Sequence, residues 1–338
     1  MPYYFNLPVI TDLTIHQQAA LDEEEPLALS GGPGTGKSVV CLYRHIRNHE
    51  AGLKNSLLLT YTKTLEYYLK QTAEERNEDA GKRVSRTYKW LNKSKTQYEE
   101  IIIDEGQDVS IKNYKDLKRY TNEVSYGADN AQSLYEAGCT PEELSDLFPN
   151  NEEYTLQKNF RNSKEILEFT KSVFSEILIP QTTINDARKT GLKPILKEVG
   201  WTNFNEKEVD EIIKIINRFA KDTHNIGILV PTKNWVEKYY DMIKKTLDDN
   251  QDFSKYHNKM PSFQTLSNVH ITTFKSAKGI EFDTVIIPSF NSFNFFIDKD
   301  FPITRKDYYV AFTRTKTNLF LLCKSNPKIG NRSTYEIE

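Results

Sequence analysis

Cysteine is scarce in this chain. Its three copies, Cys41, Cys139 and Cys323, lie far apart among 338 residues. An odd, scattered set excludes a disulfide framework and a cysteine-rich zinc site, and reads as buried thiols of a reducing compartment. The six histidines show no ligand spacing. Long apolar runs are missing too. The longest, LFLLC and VII, are strand-sized, far short of the ~18 residues that suggest a membrane span. The opening MPYYFNLPVITDL has neither the basic start nor the apolar stretch of an export signal. A cytoplasmic protein without a membrane partner is expected. Excess charge of one sign is also absent: 45 basic and 47 acidic residues leave a net charge of −2. Bulk charge therefore gives no sign of nucleic acid, and any basic surface must be local. Nothing repeats at a fixed period and nothing is low-complexity.

What the chain has is alternation. Short apolar stretches at 26–32, 56–62, 100–105 and 123–129 read as strands, each followed by a polar or glycine-containing turn. Helix-like segments such as GKSVVCLYRHIRNHE and KTLEYYLKQTAEERNEDA lie between them. This predicts an α/β fold with mainly parallel sheets flanked by helices. The pattern pauses at 139–154, with two prolines and an acidic, Asn-rich turn. A boundary there divides the chain into domains 1–155 and 156–338. The second half alternates again, with strands at 224–232, 268–274, 282–290 and 318–324 and a helix at 233–249. Apolar residues at 209, 212, 213, 216 and 219 have helical spacing. Residues 248–267 read as a polar, irregular loop.

GGPGTGKS, residues 31–38, follows a strand and opens a helix. It fits G-x-x-x-x-G-K-[ST], a loop whose backbone N–H groups turn toward phosphates at a positive helix terminus. Gly31, Gly34, Thr35 and Gly36 form the expected cradle, Lys37 reaches the outer phosphates, and the Ser38 hydroxyl coordinates Mg²⁺. IIIDEGQD, residues 101–108, supplies carboxylates at the end of a buried strand. Asp104 is the expected second Mg²⁺ ligand. Glu105 is the candidate base that takes a proton from the attacking water. Together they predict hydrolysis of a nucleoside triphosphate, with ATP and Mg²⁺ as the expected pair.

GKRVSRTYKWLNKSKT, residues 81–96, holds Lys82, Arg83, Arg86, Lys89, Lys93 and Lys95 and no acid. Tyr88 and Trp90 lie among them. Cations for phosphate and aromatics for base stacking are the ingredients of a single-strand groove. A solvated helix face, with Tyr88 or Trp90 packed in the core, is the plainer alternative.

The order and spacing of further stretches resemble superfamily 1 helicases of the UvrD/Rep type, from about residue 11 to about residue 323. DLTIHQQAAL resembles the family's opening motif, which puts Gln17 on the adenine edge. LLLTYTKTL resembles the motif that lines the single strand, with Tyr61 as its aromatic, and RVSRTYKWL sits where the next strand-contacting motif is expected. DEGQD is similar to DEAQD, with Gly106 for the usual alanine. GADNAQSLY resembles the G-D-x-x-Q stretch, which places Gln132 near the terminal phosphate, although Ala128 and Asp129 shift the usual Gly-Asp by one place. LQKNFRNSKEI resembles N-Y-R-S, and implies that Phe160 stacks on adenine and Arg161 touches the γ-phosphate. TTFKSAKGIEFDTV is similar to T-x-H-S-A-K-G-L-E-F, with Gly279 and Glu281 facing the nucleotide and Lys275 in place of histidine. YYVAFTRTKTNLFL resembles Y-V-A-L-T-R-A-K, with Arg314 as the second arginine finger.

The resemblance implies two RecA-like P-loop NTPase domains that close on ATP and ratchet along single-stranded or tailed DNA. The S-A-K-G-x-E-F wording implies movement 3′ to 5′. RNA is an open alternative, because backbone and stacking contacts separate the two polymers poorly. Larger relatives carry inserted domains. Here only residues 92–100 and the loop 248–267 are available for them, and a domain without staples needs ~40 residues. A compact motor is expected. The alternative is an ATP-gated binding module that acts with a protein partner such as a nuclease.

Overall fold

The computed structural model describes residues 1–4, 7–93, 96–129, 138–260, 265–293 and 303–338. The chain forms two compact units, one of residues 5–159 and one of residues 160–338 joined by residues 1–4. Each is a parallel sheet covered by helices. No helix among the described residues is long and apolar enough to cross a membrane.

The first unit holds β1 (Leu27–Gly31), β2 (Ser56–Thr60), β3 (Val84–Arg86), β4 (Glu100–Asp104), β5 (Glu123–Gly127) and β6 (Glu152–Leu156), in the order β3-β2-β4-β5-β1-β6. Every neighbouring pair is parallel. Central strands such as β2 and β4 are buried along their whole length, which is why they read as continuous apolar runs. Helix α1 (Ile15–Asp22) starts in a capping box between Thr14 and Gln17. Helix α2 (Lys37–Glu50) follows the glycine loop. The single helix expected over 63–80 is two, α3 (Lys63–Arg76) and α4 (Glu78–Lys82). Asn77 is extended between them, and its Oδ1 accepts the Ala80 N–H at 2.9 Å, capping the second.

The stretch 139–154, where the strand–helix pattern pauses, lies in the first unit, as the 1–155 division implies. It holds a helix (Pro141–Leu147) and the edge strand β6. Asn151 Nδ2 donates to the carbonyls of Leu27 (2.9 Å) and Val124 (2.8 Å), so the Asn-rich turn ties that edge to β1 and β5. β6 pairs with β1 as far as Leu156, and Asn159 Nδ2 donates to the Pro33 carbonyl at 2.7 Å. Those bonds put the division at 159/160, whereas the sequence suggested 155/156.

The second unit holds β7 (Ile195–Glu198), β8 (Ile226–Val230), β9 (Phe253–Tyr256), β10 (Val269–Thr273), β11 (Phe282–Ile287), β12 (Thr315–Cys323) and β13 (Glu336–Ile337), in the order β13-β7-β12-β11-β8-β10-β9. Its neighbouring strands are also parallel. The helix Phe204–Phe219 turns Val209, Ile212 and Ile216 into the same core as Ile228, Ile271 and Ile286. Contrary to the expected irregular loop over 248–267, that stretch supplies β9, which pairs with β10 from Phe253 to Tyr256. The three cysteines are buried.

Candidate nucleotide and nucleic-acid site

In the first unit, β1 leads into the loop 31–36 and then α2. Gly31, Gly34 and Gly36 have φ of 145°, 73° and 90°, a backbone region that side chains avoid. Space excludes a side chain as well. A Cβ on Gly31 would lie 2.4 Å from the Leu156 carbonyl oxygen, and one on Gly36 would lie 2.3 Å from Gln17 Nε2. Lys37 Nζ donates to the Gly31 and Gly32 carbonyls at 2.8 and 2.9 Å and lies 3.7 Å from Asp129 Oδ2. Thr35 is buried, and its hydroxyl donates to the Gly32 carbonyl at 2.9 Å.

Gln17 is buried beside this loop. Its Nε2 donates to the Thr35 carbonyl at 2.9 Å, and its Oε1 accepts the Thr14 N–H at 2.8 Å. It therefore braces the glycine loop from α1.

Asp104 ends β4. β5 lies between β4 and β1, and Gly127 at its end pairs with both Asp104 and Leu29. A Cβ at Gly127 would stand 3.4 Å from Lys37 Cβ and 3.8 Å from Asp104 Oδ1, so this glycine lets the two converge. Ser38 Oγ donates to Asp104 Oδ1 at 3.1 Å. Asp104 Oδ2 is buried with no hydrogen-bond partner among the described residues. Burial, then the adjacent Glu105 charge, push the Asp104 carboxyl up to about 7, against the pull of Ser38 and Lys37. A buried carboxylate oxygen awaiting positive charge, beside a serine hydroxyl, fits a Mg²⁺ ion that takes its other ligands from phosphate and water. Glu105 sits at φ 62°, ψ 44°, an unusual conformation for a residue with a side chain. Gln107 Nε2 donates to its Oε2 at 2.6 Å, while Gln107 Oε1 accepts the Asp129 N–H at 3.0 Å.

In the second unit, three stretches meet at the amino ends of β11 and β12. Arg161 Nε bonds Glu281 Oε2 at 2.7 Å, and Lys316 Nζ bonds Glu281 Oε1 at 2.9 Å. Asn162 Nδ2 donates to the Thr315 carbonyl at 2.6 Å. Burial would raise the Glu281 carboxyl, but the charges of Lys316 and Arg161 outweigh it and bring it down to about 2. Arg314 is buried, and its Nε donates to the Val310 carbonyl at 3.2 Å. Gly279 has φ 90° just ahead of Glu281. Phe160 is half exposed. Lys275 lies 3.9 Å from Asp307 Oδ1.

The candidate strand-contacting residues divide. Tyr61 is half-buried and Tyr88 is 74% exposed. Trp90 is a correction: it is buried, with its ring 5.3 Å from that of Tyr120 and 6.2 Å from that of Tyr98. Helix α5 (Thr87–Leu91) turns it inward while Tyr88 faces solvent. Arg86 and Lys89 both bond Glu66 on α3, at 2.9 and 2.6 Å. Lys82 pairs with Glu78 at 2.7 Å. Arg86 and Lys89 thus meet their acid from α3, and Lys82 meets its acid one turn earlier in its own helix. Gln132 and Lys95 lie outside the described residues.

Sequence reasoning missed Asp129, Gln107, Gly127, Lys316 and Glu66 as parts of these sites. Lys316 had a signal, since it is the last residue of the Y-V-A-L-T-R-A-K likeness. Glu66 had none, because its partners are twenty or more residues away.

Residues 250–326 match the UvrD-like helicase C-terminal domain family. A protein of Acanthamoeba polyphaga mimivirus, assigned by name to the ATP-dependent DNA helicases, is 23% identical over 312 residues. That alignment covers 84% of this chain and 40% of the relative, so the chain spans two fifths of its length. Among solved structures, S. cerevisiae Dbp5 bound to RNA and ADP-BeF3 is 14% identical, covers 93% of this chain and 84% of that one, and superposes with a TM-score of 0.55. The likeness is one of fold, two RecA-like α/β domains. The C-terminal domain of a DNA helicase candidate from Lactobacillus plantarum is 17% identical, with 53% of this chain and 98% of that one covered at a TM-score of 0.39.

Proposed function

For a chain of the UvrD-like superfamily 1 helicases, we propose an ATPase that moves along single-stranded DNA in the 3′ to 5′ direction. The observation that carries the ATPase in this reading is the convergence of Lys37, Ser38 and Asp104 at the ends of β1 and β4, with Glu105 next in the chain to Asp104. The cradle N–H groups and Lys37 hold the phosphates of ATP, and the ammonium leaves the Gly31 and Gly32 carbonyls to do so. Ser38 and Asp104 would hold Mg²⁺, which would supply positive charge to the phosphates. Glu105, held by Gln107, accepts the proton of the attacking water as the bond from the γ-phosphorus to the bridging oxygen breaks. Asp129 beside Lys37 restrains the ammonium between the loop and the phosphates.

Arg161 and Arg314 supply positive charge to the terminal phosphate when the second unit meets the nucleotide, a contribution on the order of 10³–10⁵ in rate for an arginine finger. Phe160 stacks on the adenine. Tyr61, Tyr88, Arg86 and Lys89 contact the strand.

The test is steady-state ATPase with and without single-stranded DNA. Stimulation by DNA is expected, and Lys37→Ala is expected to abolish turnover while DNA binding persists. Turnover that survives Lys37→Ala sinks the site assignment. A rate indifferent to DNA sinks the motor. Strand displacement on a 3′-tailed duplex, beside 5′-tailed and blunt ones, tests direction.

A further inference from the structure

Residues 1–4 lie on the second unit, although the residues that follow them build the first. Their hold is specific. Tyr3 N–H donates to the Leu266 carbonyl at 2.8 Å, Asn268 N–H donates to the Met1 carbonyl at 3.0 Å, and Pro2 bridges Ser267 in antiparallel fashion. Tyr4 exchanges two bonds with the side chain of Asn225, at 2.9 and 2.8 Å. Asn225 is fully buried, and its own N–H donates to Asp283 at 2.8 Å.

Tyr3 is the residue of this strap that reaches the arginine cluster. Its ring is buried, edge-on to Phe282 with centroids 6.0 Å apart. Its hydroxyl donates to the Glu281 carbonyl and accepts the Glu281 N–H at 3.3 Å. A single hydroxyl thus clasps both peptide groups of the residue whose carboxylate holds Arg161 and Lys316. Glu281 follows Gly279, at φ 90°, and Ile280, so its peptide lies where a turn enters β11. An external hydrogen-bond partner there fixes the direction of the carboxylate.

We propose that Tyr3 is a positioning residue for Arg161, acting through Glu281. The inference rests on the reading of Arg161 as the group that meets the terminal phosphate. A carboxylate with a rotated backbone weakens the 2.7 Å bond to Arg161; the longer contact of the guanidinium with the Thr313 carbonyl, 3.4 Å, remains, and the group samples more orientations that miss the phosphate. Binding of ATP, governed by the glycine loop of the first unit, changes little. The effect falls on turnover.

Tyr3→Phe isolates the hydroxyl, because the ring that packs on Phe282 remains. Two measurements decide the proposal. The first needs no activity: solvent exchange of the Arg161 Nε–H by NMR, expected to be about tenfold faster in Tyr3→Phe. The second is ATPase, with kcat expected to fall about three- to tenfold and KM for ATP to stay within about twofold. In a Glu281→Gln background, Tyr3→Phe is expected to add little, since both act on one element. Unchanged Arg161 exchange overturns the proposal. So does faster exchange with an unchanged kcat, or a loss that appears wholly in KM. Should Lys37→Ala leave turnover intact, the reading of the nucleotide site falls, while the exchange measurement still decides whether Tyr3 holds Arg161.

Discussion

Gly106 stands where the resembling helicases carry alanine, and one methyl group separates the two. A Cβ at Gly106 would lie 2.8 Å from Tyr114 Oη and 3.3 Å from Tyr126 Cβ. Tyr114 is fully buried, and its hydroxyl donates to the Gly106 carbonyl at 2.9 Å. The glycine and the tyrosine are therefore a matched pair. Gly106→Ala is expected to cost about 1–3 kcal/mol through overpacking, read as a lower urea midpoint, and Tyr114→Phe is expected to recover part of it. Full stability of Gly106→Ala alone would show that the helix carrying Tyr114 yields freely. The same scale separates Trp90 from Tyr88. Trp90→Ala is expected to lose about 3–5 kcal/mol of stability and Trp90→Phe to leave nucleic-acid affinity unchanged. Tyr88→Ala is expected to weaken single-strand binding, by about 1–3 kcal/mol if it stacks one base, with the unfolding midpoint unmoved. Fluorescence-anisotropy titrations beside urea curves tell these apart.

At the scale of elements, α3 supplies what the basic stretch lacks. Glu66 takes up both Arg86 and Lys89, so under the proposed function a strand's phosphates compete with a carboxylate for them. Glu66→Gln is expected to tighten single-strand binding several-fold at low salt. It is also expected to steepen the dependence of log affinity on log salt, since each freed cation adds a counterion-releasing contact. An unchanged slope would mean that the two cations face no phosphate. Elements also show what local pattern can and cannot reveal. β2 and β4 were plain in the sequence because both faces are covered. β3, β7, β9 and β13 were not, since each is only two to four residues long. β6 was missed for another reason: as an edge strand with three of its five residues exposed, EEYTL carries no apolar run. The break at Asn77 was similarly hidden, because a polar residue inside a helical pattern caps a new helix only when its backbone is extended.

For the whole molecule, four histidines spread over both units contribute an acid-sensitive part of the stability. Burial holds His45 and His270 down at about 3 and lowers His49 and His224 as well. Unfolding returns each to an ordinary value near 6.5. Below that pH the unfolded chain binds protons that the folded one refuses at these rings, so the histidine contribution is complete above about 6.5 and falls as the pH drops toward 3, while the buried carboxyls of Asp104 and Glu208, both raised to about 7, act in the opposite direction between about 7 and their ordinary values. From pH 7 to pH 5 the urea midpoint of the His45→Gln, His270→Gln double variant is expected to change more favourably than that of the parent chain, because the histidine loss is removed and the carboxyl gain remains. A slope unchanged in that double variant would assign acid sensitivity to other groups.

The phosphate loop, the two carboxylates at a strand end and the alternation of strands with helices were written in local order, because glycine conformation, helix entry and double-sided burial are properties of neighbours in the chain. The tertiary structure alone decided that Trp90 is core, that Glu66 holds the basic residues, that residues 152–156 form the edge strand β6 beside β1, and that Tyr3 clasps Glu281. Each of those depends on residues brought together across long stretches of chain, where spacing along the sequence carries no information about distance.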